Sequence, residues 1–232
     1  MCGRYRLKEP KAAFAALEVV STADFLPRFN IAPTQSVAVI PAAGRVEPMT
    51  WGIVPVWATE KSKPLINARS ETIREKRSFK SAFAHRRCLL PADGFYEWSR
   101  VDKRPHFLMV HGGDPFAIAG IWEPGDERRC CLLTTTANSL LGKIHDRMPV
   151  IVRREDWEEW FAPGELADRS FLRITTPYGP EEMSMFEVAP LVNSAAVDEP
   201  RCCEPVTGQP LPSRPGVKKS PSNPDAQQTF SF

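Results

Sequence analysis

A cysteine stands directly after the initiator methionine, in Met1-Cys2-Gly3-Arg4-Tyr5. Cys2 is small enough to permit removal of Met1, and the mature terminus would then carry an α-amine and a thiol on adjacent carbons. The α-amine titrates at about 7.7–8.0 and a free thiol at about 8.5, so usable fractions of both nucleophiles are expected at neutral pH. An aldehyde suits such a 1,2-aminothiol: the amine gives an imine, the sulfur closes on the imine carbon, and a thiazolidine results. The alternative is that Cys2 is simply a small residue on a first strand.

Imine chemistry needs an acid, a proton shuttle and a group that holds the terminus still. Glu97, between Tyr96 and Trp98, is a carboxyl in an aromatic setting, which disfavours its charged form and suits it to proton donation; otherwise it is a surface glutamate. His145, in His145-Asp146-Arg147-Met148-Pro149, is a loop imidazole that could shuttle protons or be polar surface. Asn67, in Asn67-Ala68-Arg69, could anchor the Cys2 backbone or serve as a turn residue. His85, His106 and His111 have no motif around them. Arg69, Arg74, Lys76, Arg77, Lys80, Arg86 and Arg87 cluster in a short span, as a polyanion site or as a solvated helix face.

The elements that must position these groups are short. A first strand runs to Leu7 and a helix from Pro10 to Val20, followed by a proline-ended turn over Phe29 to Pro33. Strands are expected at Ser36 to Ile40 and from Val46, and a helical stretch begins at Ser70 with Phe79 and Phe83 on its buried face. An aromatic strand follows at Ala92 to Trp98. Phe107 to Val110, Phe116 to Trp122 and Cys130 to Thr136 suggest an antiparallel meander. Asn138 is a helix cap, Val150 to Val152 a strand, Asp156 to Phe161 a helical turn, and Met185 to Val192 the last strand. The fold class is α+β, predominantly antiparallel, with a barrel-like core and flanking short helices. Residues 1–199 form the domain; 200–232 are a proline- and serine-rich tail expected to be disordered.

The 232 residues suffice for a sizeable core, and the net charge of +2 does not by itself demand a polyanion partner. The N-terminus lacks a signal-peptide core and no apolar run reaches the roughly 20 residues of a membrane span, so a cytoplasmic protein is expected, nucleoid-associated if bacterial. The cysteines at 2, 88, 130, 131, 202 and 203 fit neither zinc spacing nor a disulfide framework. Cys88, Cys130 and Cys131 read as reduced core residues.

One ordered set of segments goes further: Met1 to Tyr5, Phe29-Asn30-Ile31-Ala32-Pro33-Thr34, Trp51-Gly52-Ile53-Val54-Pro55, Asn67 to Thr72, Cys88 to Trp98, Ala119-Gly120-Ile121-Trp122-Glu123 and His145 to Pro149. Over roughly residues 2 to 200 the chain resembles the SOS-response-associated peptidase (SRAP) domain family. The resemblance implies a protein that binds single-stranded DNA and crosslinks its N-terminal cysteine to the ring-opened aldehyde of an abasic site. It places Asn67, Glu97 and His145 beside Cys2 and implies DNA contacts by Arg4, Asn30, Pro33, Trp51, Arg69, Arg74, Trp98 and Met148. No cofactor, metal or membrane is implied, and a monomer is expected. Two other readings remain at this point: an N-terminal-nucleophile or thiol peptidase, and a non-catalytic single-strand DNA binding module.

Overall fold

Tyr5, Arg6 and Leu7 are all buried, which marks the first strand as an inner strand covered on both faces. Arg6 is admitted there because its Nε donates to Asp93 and its guanidinium lies 4.5 Å from the centre of the Phe107 ring; a charge out of water needs such a partner. The computed structural model describes residues 2–206 except 22, 43, 56, 60 and 61.

The strands are β1 Arg4–Leu7, β2 Val20–Ser21, β3 Arg28–Ile31, β4 Ser36–Ala42, β5 Arg45–Trp51, β6 Asn67–Arg69, β7 Arg87–Ala92, β8 Gly94–Trp98, β9 Pro105–Val110, β10 Phe116–Glu123, β11 Arg129–Thr136, β12 Arg147–Pro149, β13 Ile151–Val152 and β14 Met183–Glu187. The helices are α1 Pro10–Ala16, α2 Lys80–His85, α3 Trp157–Phe161 and α4 Asp168–Thr175. One sheet runs β14-β9-β8-β1-β3, and a larger one β12-β11-β10-β7-β4-β5-β2. A parallel contact of β5 with β11, Arg129 opposite Thr50 and Cys130 opposite Trp51, brings the larger sheet back on itself. The result is an α+β fold with a ring of strands, joined at that short contact rather than closed as a continuous barrel.

Several sequence expectations change. Phe29 to Pro33 is not a turn: Arg28–Ile31 is strand β3, an edge whose outward N–H groups at Phe29 and Asn30 are taken by the Asp198 carboxylate at 2.5 and 2.8 Å. The meander is split, because β9 pairs with β8 and β14 while β10 pairs with β7 and β11. Gly94 permits the close seating of β9 on β8: a Cβ there would sit 2.1 Å from Phe107 Cζ. The helical stretch from Ser70 is a 3-10 turn, Ser70–Thr72, followed after a gap by α2. The last strand ends at Glu187, and a 3-10 turn, Pro190–Asn193, follows. The strand expected at Val150 to Val152 is present as β13, and Arg147–Pro149 before it, not expected as a strand, forms β12. Helix α4 was not among the expected elements.

Residues 200–206, expected in the tail, are folded: Pro200–Cys203 is a 3-10 turn and Cys202 packs with Tyr96, Phe107, Phe186, Val188 and Val192. The rest of the expected tail, 207–232, lies outside the described residues. Cys88, Cys130 and Cys131 are free thiols buried in the core. Among the described residues no helix is long and apolar enough to cross a membrane.

Candidate active site at the N-terminal cysteine

The antiparallel register of β1 on β8 sets the site. Arg4 faces Tyr96 and Tyr5 faces Phe95, so continuing the register outward puts Gly3 and Cys2 beside Glu97 and Trp98. Cys2 is fully buried, and its Sγ–H points to the Arg4 carbonyl at 3.8 Å. Burial, with the Glu97 carboxyl adding to it, pushes the Cys2 thiol far above the ordinary range. This disfavours the expected thiolate, so the sulfur needs a base at the moment it reacts.

Asn67 reaches Cys2 from the larger sheet. Its strand β6 lies parallel to β11, and its Nδ2 donates to the Cys2 carbonyl at 2.8 Å. The Asn67 Oδ1 is buried and has no partner among the described residues. Trp51 holds this reach in place: its Nε1 donates to the Ile66 carbonyl at 2.9 Å, and its ring meets Tyr5 edge-on at 5.5 Å. One indole thus ties the strand leading from Cys2 to the segment leading into Asn67. Gly52, at φ +133°, turns the chain away; a Cβ there would lie 2.8 Å from Pro64 Cβ.

Glu97 is 2% exposed, which excludes the surface reading. Burial raises its pKa. His145 Nε2 lies 3.6 Å from Glu97 Oε1, while its Nδ1 accepts the Arg147 backbone N–H at 3.0 Å. A ring nitrogen that accepts carries no proton, so the neutral imidazole is protonated on Nε2, the atom facing Glu97. Asp146 Oδ1 also lies 3.2 Å from Nδ1, but the backbone N–H has no alternative form and decides the tautomer. Burial lowers the His145 pKa, with Arg100 also lowering it and Asp146 opposing.

Two residues that sequence reading did not single out brace the site. Arg147 donates from Nη1 and Nη2 to the two carboxylate oxygens of Glu71, at 2.6 and 2.9 Å, and from Nη2 to the Thr134 carbonyl at 2.7 Å. This planar fork ties the turn after Asn67 to the strand after His145. Both residues lie inside segments already conspicuous in the sequence, but nothing local marks them as a pair.

The other residues expected at the site sit in different settings. Asn30 is fully buried and its amide donates to the carbonyls of Val192, Ser194 and Val197 at 3.3, 2.9 and 2.7 Å. Trp51 and Met148 are fully buried as well. As the chain stands, these three present no surface to a ligand. Arg74 is engaged by Asp168 and by the Leu166 carbonyl, its guanidinium 4.1 Å from the Phe171 ring centre, so it docks α4. Arg87 spends its guanidinium on the carbonyls of Phe83, Trp160, Ala162 and Gly164, and Arg86 pairs with Glu123. Arg69, Lys76, Arg77 and Lys80 are exposed, Pro33 half-buried. Arg77 shares a groove with Val54, Pro55 and Trp57, a residue that is 54% exposed. Trp98 and Arg4 are half-buried beside Cys2.

A mixed-sheet α+β fold whose second residue is a cysteine, enclosed by an amide, a raised carboxyl and an imidazole from three different strands or strand ends, presents a candidate site at Cys2. The SOS response associated peptidase (SRAP) family model matches residues 1–195, and the chain belongs to that family. It is 33% identical over 222 residues to the abasic site processing protein YoqW of Bacillus subtilis, covering 88% of this chain and 99% of that one. It is 33% identical over 177 residues to the abasic site processing protein YedK of Escherichia coli, covering 69% and 79%. Among solved structures, a Bacteroides thetaiotaomicron protein shares the fold at a TM-score of 0.76 and 23% identity, covering 88% of this chain and all of that one. A phage-related protein of Bordetella bronchiseptica gives 0.67 and 26%, covering 81% and 94%.

Proposed function

We propose that this chain binds single-stranded DNA and, once Met1 is removed, joins Cys2 to the aldehyde of an abasic site as a thiazolidine. Met1 itself lies outside the described residues. The observation that carries the reading is the Asn67 amide: it holds the Cys2 carbonyl through Nδ2 and leaves Oδ1 buried without a donor among the described residues. A buried acceptor without a partner costs about 1–3 kcal/mol, and the α-amine of a terminal Cys2 is a donor close to hand. The names of the relatives, abasic site processing proteins, agree with an aldehyde-bearing DNA lesion as the partner.

In the proposed sequence Glu97, whose pKa burial raises, gives its proton to the sugar ring oxygen as the hemiacetal opens, while His145 takes the proton of the anomeric hydroxyl and returns it to Glu97 after ring closure. The Cys2 amine adds to the freed carbonyl, and His145 passes protons through the carbinolamine as water leaves. The thiol then adds to the imine carbon. Its proton goes to the imine nitrogen by way of the Glu97 carboxylate, which is the base the thiol needs. The balance is one aldehyde and one aminothiol giving one thiazolidine and one water. Closing the ring removes the imine that would otherwise promote β-elimination and strand scission.

Exposed Arg69, Lys76, Arg77 and Lys80 supply charge for phosphates, and Trp57 with Trp98 supplies flat faces for bases. The test is incubation with single-stranded oligonucleotides with and without an abasic site, alongside a peptide hydrolysis assay. A heat-stable adduct with the lesion alone is expected. Peptide hydrolysis without an adduct would overturn the reading.

A further inference from the structure

The chain from Val192 to Asp198 crosses the outer edge of β3 as a strap. Asn30 and Asp198 fasten it there: the Asn30 amide donates to the carbonyls of Val192, Ser194 and Val197, and the Asp198 carboxylate accepts from Arg28 and from the N–H groups of Phe29 and Asn30. These bonds satisfy the strand edge by themselves. Asn193 does something else. Its exposed side chain turns toward the Cys2 site, where Oδ1 accepts from Trp98 Nε1 at 2.7 Å. Its main-chain oxygen accepts from Arg4 Nη2 at 3.4 Å.

Trp98 directly follows Glu97, and Arg4 lies two residues from Cys2, so one residue of the strap touches a side chain on each of the two strands that frame the site. An indole N–H at a half-exposed position would find water if Asn193 were absent, so the bond adds little to folding. What it fixes is the plane of the ring. An aromatic face held in one orientation before a base arrives loses less freedom on stacking.

We infer that Asn193 is a positioning residue for DNA binding, setting the Trp98 indole as a stacking platform beside Cys2. This rests on the single-strand binding proposed above. Asn193→Ala should weaken non-covalent binding of a lesion-free single-stranded oligonucleotide by about fivefold, the factor one net hydrogen bond gives. The rate of adduct formation at saturating abasic oligonucleotide should stay within about twofold of the parent, because Asn193 touches none of the reacting groups.

Trp98→Phe removes the N–H, so in that background Asn193→Ala should have no further effect on binding. In the absence of DNA, the indole N–H resonance that Trp98→Phe deletes should shift and exchange faster with solvent in Asn193→Ala. An equal loss of affinity in both backgrounds would assign Asn193 to the strap alone and overturn the inference, as would an unmoved indole resonance. Parent protein that binds no single strand at all overturns the functional reading and this inference with it; parent binding that Asn193→Ala leaves unchanged overturns only the inference.

Discussion

His145 Nε2 lies 3.6 Å from Glu97 Oε1, with the imidazole tautomer fixed from behind by the Arg147 backbone N–H. Burial moves the two groups in opposite directions, the carboxyl upward and the imidazole downward, which draws their proton affinities together. A proton passes more readily between groups whose affinities lie closer together.

Thiazolidine opening needs a proton returned as the ring breaks, a role assigned to His145. His145→Ala should therefore slow both formation and release, by about 100-fold if it acts as a general acid and base. Labelled adduct chased with excess unlabelled abasic oligonucleotide measures release. Because the His145 pKa is lowered, any acid-side loss of rate should fall below the ordinary histidine value of about 6.5 and disappear in the mutant. Transfer as fast in His145→Ala as in the parent removes the imidazole from the mechanism.

Glu97→Gln should form the same product about 100-fold more slowly, since an amide cannot protonate the ring oxygen. The stability effect has the opposite sign. A carboxyl with a raised folded pKa contributes fully below its unfolded value of about 4.3, and loses that contribution as pH rises through the folded value. The glutamine variant, neutral throughout, should be the more stable protein at pH 8, and its advantage should vanish on acidification to about pH 4. Urea unfolding at both pH values checks this; equal stability at pH 8 contradicts the buried, raised carboxyl.

Much of the candidate site was legible in the sequence because the residues proposed to carry its chemistry are of types that stand out: a cysteine at position 2, a glutamate among aromatics, a histidine before a charged run. What could not be read was burial and pairing over long separations. Asn30, Trp51 and Met148 lie in conspicuous segments, yet each is fully enclosed, Asn30 by carbonyls more than 160 positions away. Arg74 and Arg69 look alike in sequence; only the fold brings Asp168 to the first and leaves the second exposed. The strands were mostly found, but the split meander was not, because the pairing of β9 with β8 and of β10 with β7 is invisible to local periodicity.

Removing Arg147 should show how far the brace matters. Arg147→Ala leaves the buried Thr134 carbonyl without this donor and frees Glu71, at a cost of about 1–3 kcal/mol by denaturant unfolding. Glu71→Gln should cost less, about 1 kcal/mol or under, because the Glu71 side chain is 46% exposed. Equal costs would mean that the arginine acts only through the ion pair.

Arg69 and Arg74 should separate by salt dependence. Arg69→Ala should weaken single-strand binding and reduce the slope of log affinity against log salt by about 0.7, one phosphate's share. Arg74→Ala should leave that slope alone while lowering stability, since its charge is already committed to Asp168 and its plane to Phe171. A reversed pattern would place the DNA track on the α4 side of the molecule.

The most direct measurement is the intact mass of the adduct between purified protein and a single-stranded abasic oligonucleotide, taken without reductant. The expected mass is that of the protein lacking Met1 plus the oligonucleotide, less one water, with Cys2→Ala giving no stable adduct while still binding the strand. An adduct of the same mass from Cys2→Ala, or one formed by protein that retains Met1, would contradict ring closure at the N-terminal cysteine.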